Sequence, residues 1–447
     1  MSVPAIAAHA ARAQALARTL RSGSGPVGLA KDTSNLFRDR NAPSRRRLDA
    51  RSMDKVLGVD AQAGRVDTEG MTTYEALVDA CLPHGVMPAV VPQLKTITLG
   101  GAVAGVGIEA SSHRYGLVHE TVEEIEVLTG EGEVLTCTPA NEHADLFFGF
   151  PNSYGTLGYA LRVVARTAPV KPYVRLEHHP FADPVEYFRA VERHCSAGDA
   201  DFIDGTMFAP DRLFLTLARF VDEAPALSDY TGSRIFYRSI AERSEDWLTA
   251  RDFIWRWDTD WFWCSKNLLA QNLLVRPLYG KHLGSRTYTK IMRWNSRVGL
   301  TRALDRVRGL HGESVIQDVD IPVENAAAFL EFLAREVGIW PVWMCPIGPQ
   351  ADAARFALYP LQRRWYVNFG FWDVVHTREA HEPGRCNRAI EREVAALGGA
   401  KSLYSESYYP REEFDALYGG SAYAALKARY DPRGAFPTLY EKCVLRR

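Results

Sequence analysis

The sequence predicts an α+β protein built from two or three structural units. Three observations carry this reading. The chain is 447 residues long, against roughly 150 residues per domain. Its composition is 47% apolar, 11% aromatic and 24% charged, which supplies ample core material. Short β-type runs punctuated by Gly and Pro alternate with a few well-capped helices.

The elements follow in order. Residues 4–21 carry Ala, Leu and Ile on one side with Arg12, Arg18 and Arg21 interspersed, which predicts an amphipathic helix ending at Ser22-Gly23-Ser24-Gly25. From 26 to 170 come strand-like runs at 27–30, 64–67, 123–128, 133–136 and 159–165. One helix lies among them, Thr73 to His84, opened by Thr72/Thr73 with Glu75 and closed by Gly85. Residues 171–236 alternate strand and helix, and 237–310 are aromatic and basic without clean periodicity. Beyond 311 the pattern predicts a helix at about 323–337 and strands at 340–346, 354–359 and 364–371. A helix at 386–397 stops at Gly398-Gly399, and short helices at 411–418 and 422–430 end the chain.

Composition excludes several classes. Lys+Arg is 53 against Asp+Glu 54, so no bulk basic field exists for nucleic acid. Seven scattered cysteines, with no CxxC, argue against a disulfide framework or structural zinc and fit a reducing cytoplasm. His9, Arg12 and Arg18 interrupt the Ala-rich N-terminus, so no signal peptide is expected there. No run of 18 uncharged apolar residues occurs. No metal site is expected, and His178, His179, His376 and His381 read as ordinary surface residues. Four tryptophans crowd one short window, Trp255, Trp257, Trp261 and Trp263. Together with the leucines of 252–279, and interleaved with Arg256, Lys266 and Arg276, they read either as plain core or as a peripheral membrane contact through that segment.

Two glycine-rich stretches carry the chemistry. In 92–116 the glycines 100, 101, 105 and 107 precede Glu109, Ser111, Ser112, His113 and Tyr115. A residue without Cβ lets backbone N–H groups approach a phosphate. The spacing is not GxGxxG, which disfavours a Rossmann fold. The second stretch, Gly155-Thr156-Leu157-Gly158, feeds a strand. Two such loops suggest one extended ligand.

The segments T-I-T-L-G-G-A-V-A-G-V-G-I-E-A-S-S-H-R-Y-G, E-V-L-T-G-E-G-E-V-L-T-C-T-P and G-T-L-G resemble the FAD-binding domain of vanillyl-alcohol-oxidase-type (PCMH-type) flavoproteins. The Glu109–Gly116 segment is similar to the Δ24-sterol reductase branch, as are Ile339 to Pro346 and Tyr418 to Cys443. The resemblance implies a PCMH-type FAD-binding domain with an α+β cap. The implied division is an N-terminal helix 1–24, an FAD-binding domain 25–175, a substrate domain 176–400 and a segment 401–447 returning to the flavin. It implies that Lys31, Thr33, Ser34 and Asn35 form a first phosphate loop, and that Thr98, Leu99, Gly100 and Gly101 make a second contact. Gly105, Gly107, Ser111 and Ser112 would run past the flavin, while Gly155, Thr156 and Gly158 complete the cradle. The adenine would lie near Arg162 and Val163. The first loop has no His or Cys, so non-covalent FAD is expected, with NADPH as electron donor.

The branch implies reduction of an unactivated C=C bond in a lipid. Such an alkene needs a proton donor as well as hydride, and Glu109, His113 and Tyr115 are the candidate catalytic residues. The expected substrate is a 10-methylene fatty-acyl chain, since relatives stand beside fatty-acyl methyltransferases in actinobacteria; such a methyltransferase is the expected partner. The expected location is cytoplasmic, peripheral on the inner membrane face. A Δ24 sterol substrate, or alcohol or sugar-lactone oxidation on the same fold, are the alternatives.

Overall fold

The computed structural model describes residues 3–32, 37, 46–299, 301, 305 and 307–447. Helix α1 (Val3–Arg21) begins it. A parallel pair follows, β1 (Val27–Ala30) beside β2 (Arg46–Asp49). The first large sheet contains β3 (Val56–Asp60), β4 (Arg65–Glu69), β5 (Val86–Pro88), β6 (Val122–Leu128), β7 (Val134–Cys137) and β8 (Tyr159–Pro169). Its order is β3-β4-β8-β6-β7, with β5 pairing β8, and every pairing is antiparallel. Helix α2 (Tyr74–Cys81) packs on it, capped by Thr73, whose hydroxyl accepts from the Ala76 N–H; Gly85 ends the following turn in the left-handed region at φ 70°.

α1 is locked to this sheet by a buried ionic cluster. His9 sits between Glu69 (2.9 Å) and Glu126 (2.8 Å), and Arg12 reaches Glu69 at 2.6 Å. Burial alone would lower the His9 pKa, but hydrogen bonds to both carboxylates outweigh it and raise it to about 9.

The second sheet holds β9 (Tyr173–Phe181), β10 (Phe202–Ala209), β11 (Arg212–Val221), β12 (Glu245–Thr249), β13 (His311–Pro322), β14 (Val342–Ile347), β15 (Tyr366–Thr377) and β16 (Ala400–Lys401). Its antiparallel order is β12-β9-β11-β10-β14-β15-β13-β16. Alternation along β13 decides its two faces. Val315, Val319 and Ile321 enter a core with the helices Pro184–Ala197, Ala326–Phe332 and Arg385–Ala396. Ile316, Asp318 and Asp320 point to the other face, toward the first sheet and its glycine loops.

Three local expectations are revised. Residues 354–359 make a short turn of 3-10 helix at Ala353–Arg355 in place of a strand. β13 precedes the helix near 323, in a stretch with no expected strand. His178, expected on the surface, is buried with Nδ1 2.9 Å from the Thr216 hydroxyl. No helix among the described residues is long and apolar enough to cross a membrane.

Candidate active site

The first glycine stretch forms helix α3 (Leu99–Ala104) and the loop after it. Thr98 caps α3, accepting from the Gly101 N–H at 3.2 Å. Gly100 is required by packing, because a Cβ there would stand 2.7 Å from the Gly70 carbonyl oxygen. The loop then turns through Val106 at φ 51°, a strained backbone for a β-branched residue. The second stretch turns through Tyr154 (φ 51°), Gly155 (φ 75°) and Gly158 (φ 147°).

The two stretches share one wall of a cavity of about 1720 Å³. Gly100, Gly101, Gly105, Gly107, Gly155, Gly158, Ala102 and Ala160 line it, so the wall is largely backbone. At Gly28, also lining, a Cβ would meet nothing nearer than Arg47 at 4.0 Å. The wall therefore leaves open the room that a long planar cofactor with a diphosphate needs. Basic residues Lys31, Arg47 and Lys442 line the same cavity, a suitable charge for a diphosphate.

The opposite wall comes from the second sheet. Asp320 is fully satisfied: Asn368 Nδ2 donates to Oδ1 and the Tyr359 hydroxyl donates to Oδ2, each at 2.7 Å. Burial raises its pKa to about 6, against those two hydrogen bonds. Two residues earlier on the same face, Asp318 has an Oδ1 shielded from solvent and without a hydrogen-bond partner. Burial, followed by the neighbouring Asp320 charge, raises Asp318 to about 8, against a hydrogen bond from Tyr404. Tyr404 in turn accepts from Trp372 Nε1 at 2.9 Å. At neutral pH Asp318 is thus a protonated carboxyl aimed into a cavity whose facing wall is backbone. Trp261, Phe262, Trp343 and Trp372 supply the apolar lining between them.

Lys31, Thr98, Gly100, Gly101, Gly105, Gly107, Gly155 and Gly158 all line the cavity. Thr33, Ser34 and Asn35 lie outside the described residues. Leu99 and Val163 are buried in the first core. Three hydroxyls are used internally: Ser111 donates to the Ala89 carbonyl, Ser112 accepts from the Glu109 N–H, and Thr156 donates to the Ser153 carbonyl. Arg162 spans the first sheet, bidentate on Asp67 at 2.7 and 2.8 Å.

The three residues expected to handle protons are not among those lining the cavity. His113 has both ring nitrogens against carbonyl oxygens, Nδ1 with Ala110 at 2.9 Å and Nε2 with Ala200 at 3.3 Å, and burial lowers its pKa. Tyr115 lines a separate crevice of about 50 Å³ beside Ser111 and Arg114. Glu109 is buried against Arg256 at 3.2 Å, and Arg256 also holds Asp204 at 2.8 Å. Burial raises Glu109 to about 7 despite the Arg256 charge. These contacts fasten the glycine loop to the second sheet. Asp318 and Asp320 carried only a weak signal, two acids alternating with apolar residues in a stretch where no strand is expected.

The tryptophan window is core. Trp257 is 1% exposed and Trp263 0%. Phe262 packs against Trp257 (4.8 Å) and Trp372 (4.4 Å), and Trp263 Nε1 donates to the Trp372 carbonyl at 3.2 Å. A membrane contact made by Trp261 and Trp263 is overturned by their burial.

Comparison with known proteins agrees with this architecture. The family model described as FAD binding domain matches residues 5–138. The Δ24-sterol reductase of Homo sapiens is 25% identical over 400 residues, covering 87% of this chain and 75% of that protein. That of Arabidopsis thaliana is 25% identical over 447 residues, covering 88% and 76%. Cytokinin dehydrogenase 10 of Oryza sativa subsp. japonica is 29% identical over 203 residues, 44% of this chain and 33% of that protein. The match to an FAD binding domain over residues 5–138 and the similarity to Δ24-sterol reductases along most of its length make the chain an FAD-dependent oxidoreductase.

Proposed function

We propose that this oxidoreductase reduces an unactivated C=C bond of a lipid, using NADPH as the electron source, with a methylene-branched fatty-acyl chain as its substrate. The observation that carries the proposal is Asp318, a carboxyl that keeps its proton to about pH 8 while facing the glycine wall. An alcohol oxidase needs an ionised base at this position; a neutral acid suits reduction.

FAD, when bound and reduced, supplies hydride chemistry; the glycine wall and Lys31 are the residues that would hold it. Everything else falls to the chain. Asp318 gives its proton to the less substituted alkene carbon as the other carbon, which bears tertiary cation character, gains hydride. One proton and one hydride thereby convert C=C to CH–CH. Asp320 keeps the proton on Asp318 by like-charge repulsion and is itself fixed by Asn368 and Tyr359. Trp261, Phe262 and Trp343 exclude water from the apolar chain. Asp318 recovers its proton from solvent between turnovers.

The names of the relatives in Homo sapiens and Arabidopsis thaliana support a Δ24 sterol as the second reading. The same protonation serves both. Incubation with NADPH in deuterated water and mass spectrometry of the lipid test the proposal. One solvent deuteron in a saturated, methyl-branched acyl product is expected, with a Δ24 sterol turned over poorly. Turnover of the sterol alone would replace the substrate, and no reduction of either lipid would refute the proposal.

A further inference from the structure

The buried tryptophans are followed by a segment that exposes what they do not. Leu273 and Leu274 are each 84% exposed, Leu278 is 82% and Leu269 is 66%. Isolated exposed leucines are ordinary, but several within ten residues are not. They are not loosely held. Arg276, in their midst, is buried and bidentate on Asp260 at 2.6 and 3.0 Å, and it donates to the Gly232 carbonyl at 2.7 Å. The Tyr279 hydroxyl donates to the Leu268 carbonyl at 2.9 Å, and its ring packs 6.1 Å from Tyr288 on the helix Ser285–Val298. The fold thus holds these leucines outward beside that helix.

The same helix brings charge and the cavity together. Trp294 is 56% exposed and also lines the cavity, as do Leu268 and Ile291, so the cavity opens at this surface. From Trp261 to Leu304 the chain has no Asp or Glu and eight Lys or Arg. Among the described residues Lys281 and Lys290 are exposed and make no ion pair. Outward leucines, a half-exposed Trp and the two unpaired lysines match an anionic bilayer surface, where apolar groups enter the acyl boundary and ammonium groups remain at the headgroups.

We infer that the segment 268–299 docks on an anionic lipid bilayer, with Leu269, Leu273, Leu274 and Leu278 inserted, so that the cavity opens directly toward the leaflet. The inference extends the lipid-reduction reading by stating how a lipid arrives, but the docking surface stands on its own observations.

The test uses flavin-loaded protein and sedimentation with vesicles of phosphatidylglycerol and phosphatidylcholine. Wild type is expected to bind, more weakly as salt rises. Leu273→Glu with Leu274→Glu is expected to lower partitioning at least ~100-fold. Lys281→Glu with Lys290→Glu is expected to lower it by about fivefold per charge removed. Both variants should keep the wild-type flavin spectrum and the wild-type rate on a detergent-dispersed alkene. Failure of wild type to bind, or undiminished binding by the leucine variant, overturns the docking. So does a wild-type dimer that the leucine variant splits, because a second copy would then cover the leucines. Vesicle binding by a wild type that reduces no alkene upholds the docking and refutes the lipid-reduction reading alone.

Discussion

Asp318→Asn removes the acid while keeping its shape. An acid titrating near 8 is about nine-tenths protonated at pH 7 and about one-tenth at pH 9. Reoxidation of the reduced wild-type enzyme by a lipid alkene should therefore fall about tenfold across that interval. The Asn variant should be slower by ~10²–10⁴ at pH 7 and lose the alkaline limb. Stability should move the other way. A carboxyl whose folded pKa is raised from 3.8 to about 8 costs folding free energy as pH rises from about 4 to about 8, and nothing further above that. The full gap would set that cost at roughly 6 kcal/mol at most. Asp318→Asn should therefore be the more stable protein at pH 8, by urea denaturation of the flavin-free form. The assay is single-turnover stopped flow, with flavin reduction by NADPH as the control that should not change. Reoxidation within threefold of wild type at pH 7 would refute the role of Asp318.

Four further outcomes follow from the same contacts. Asp320→Asn removes the repulsion that holds the proton on Asp318, so the alkaline limb of the single-turnover rate should move to lower pH; an unmoved limb would separate the two carboxyls. His9→Gln should destabilise the protein by ~3 kcal/mol below pH 6.5, with the deficit shrinking through about 9 and absent above it, since His9 is raised from 6.5 to about 9; denaturation at pH 6 and pH 10 checks the sign. Arg256→Met leaves Glu109 and Asp204 buried without their cation and should cost ~3–5 kcal/mol in urea unfolding. Gly28→Phe, whose side chain would enter open space in the cavity, should purify folded by circular dichroism but lacking flavin absorbance; a fully yellow variant would place the cofactor elsewhere.

The glycine wall was legible because backbone exposure leaves a mark in sequence: Gly100, Gly101, Gly105, Gly107, Gly155 and Gly158 stand where Cβ atoms would crowd the wall or its packing. Helix ends were legible for similar local reasons, as at Thr73 and Gly85. The acid pair was not. In Gln317-Asp318-Val319-Asp320-Ile321 the carboxylates alternate with apolar residues, but no strand is expected there, and nothing local says that the first sheet and the Trp261–Trp263 turn will cover them. Burial converts a solvated face into a proton donor, and burial is a property of partners far along the chain. The same cause takes the tryptophans of 252–279 out of the expected membrane contact and leaves its leucines exposed. Tryptophan and leucine are equally apolar in sequence, and only packing of Phe262 on Trp257 and Trp372 shows which of them face inward. Glu109 and His113 stand beside the glycines in sequence, yet their side chains turn to Arg256 and to loop carbonyls.

Anaerobic stopped-flow mixing followed at the flavin absorbance tests NADPH-driven reduction of a lipid double bond. Rapid bleaching by NADPH and rapid recovery of colour on adding a methylene-branched acyl lipid are expected. Bleaching by an alcohol or sugar lactone, indifference to NADPH and fast recovery with O2 alone would contradict it.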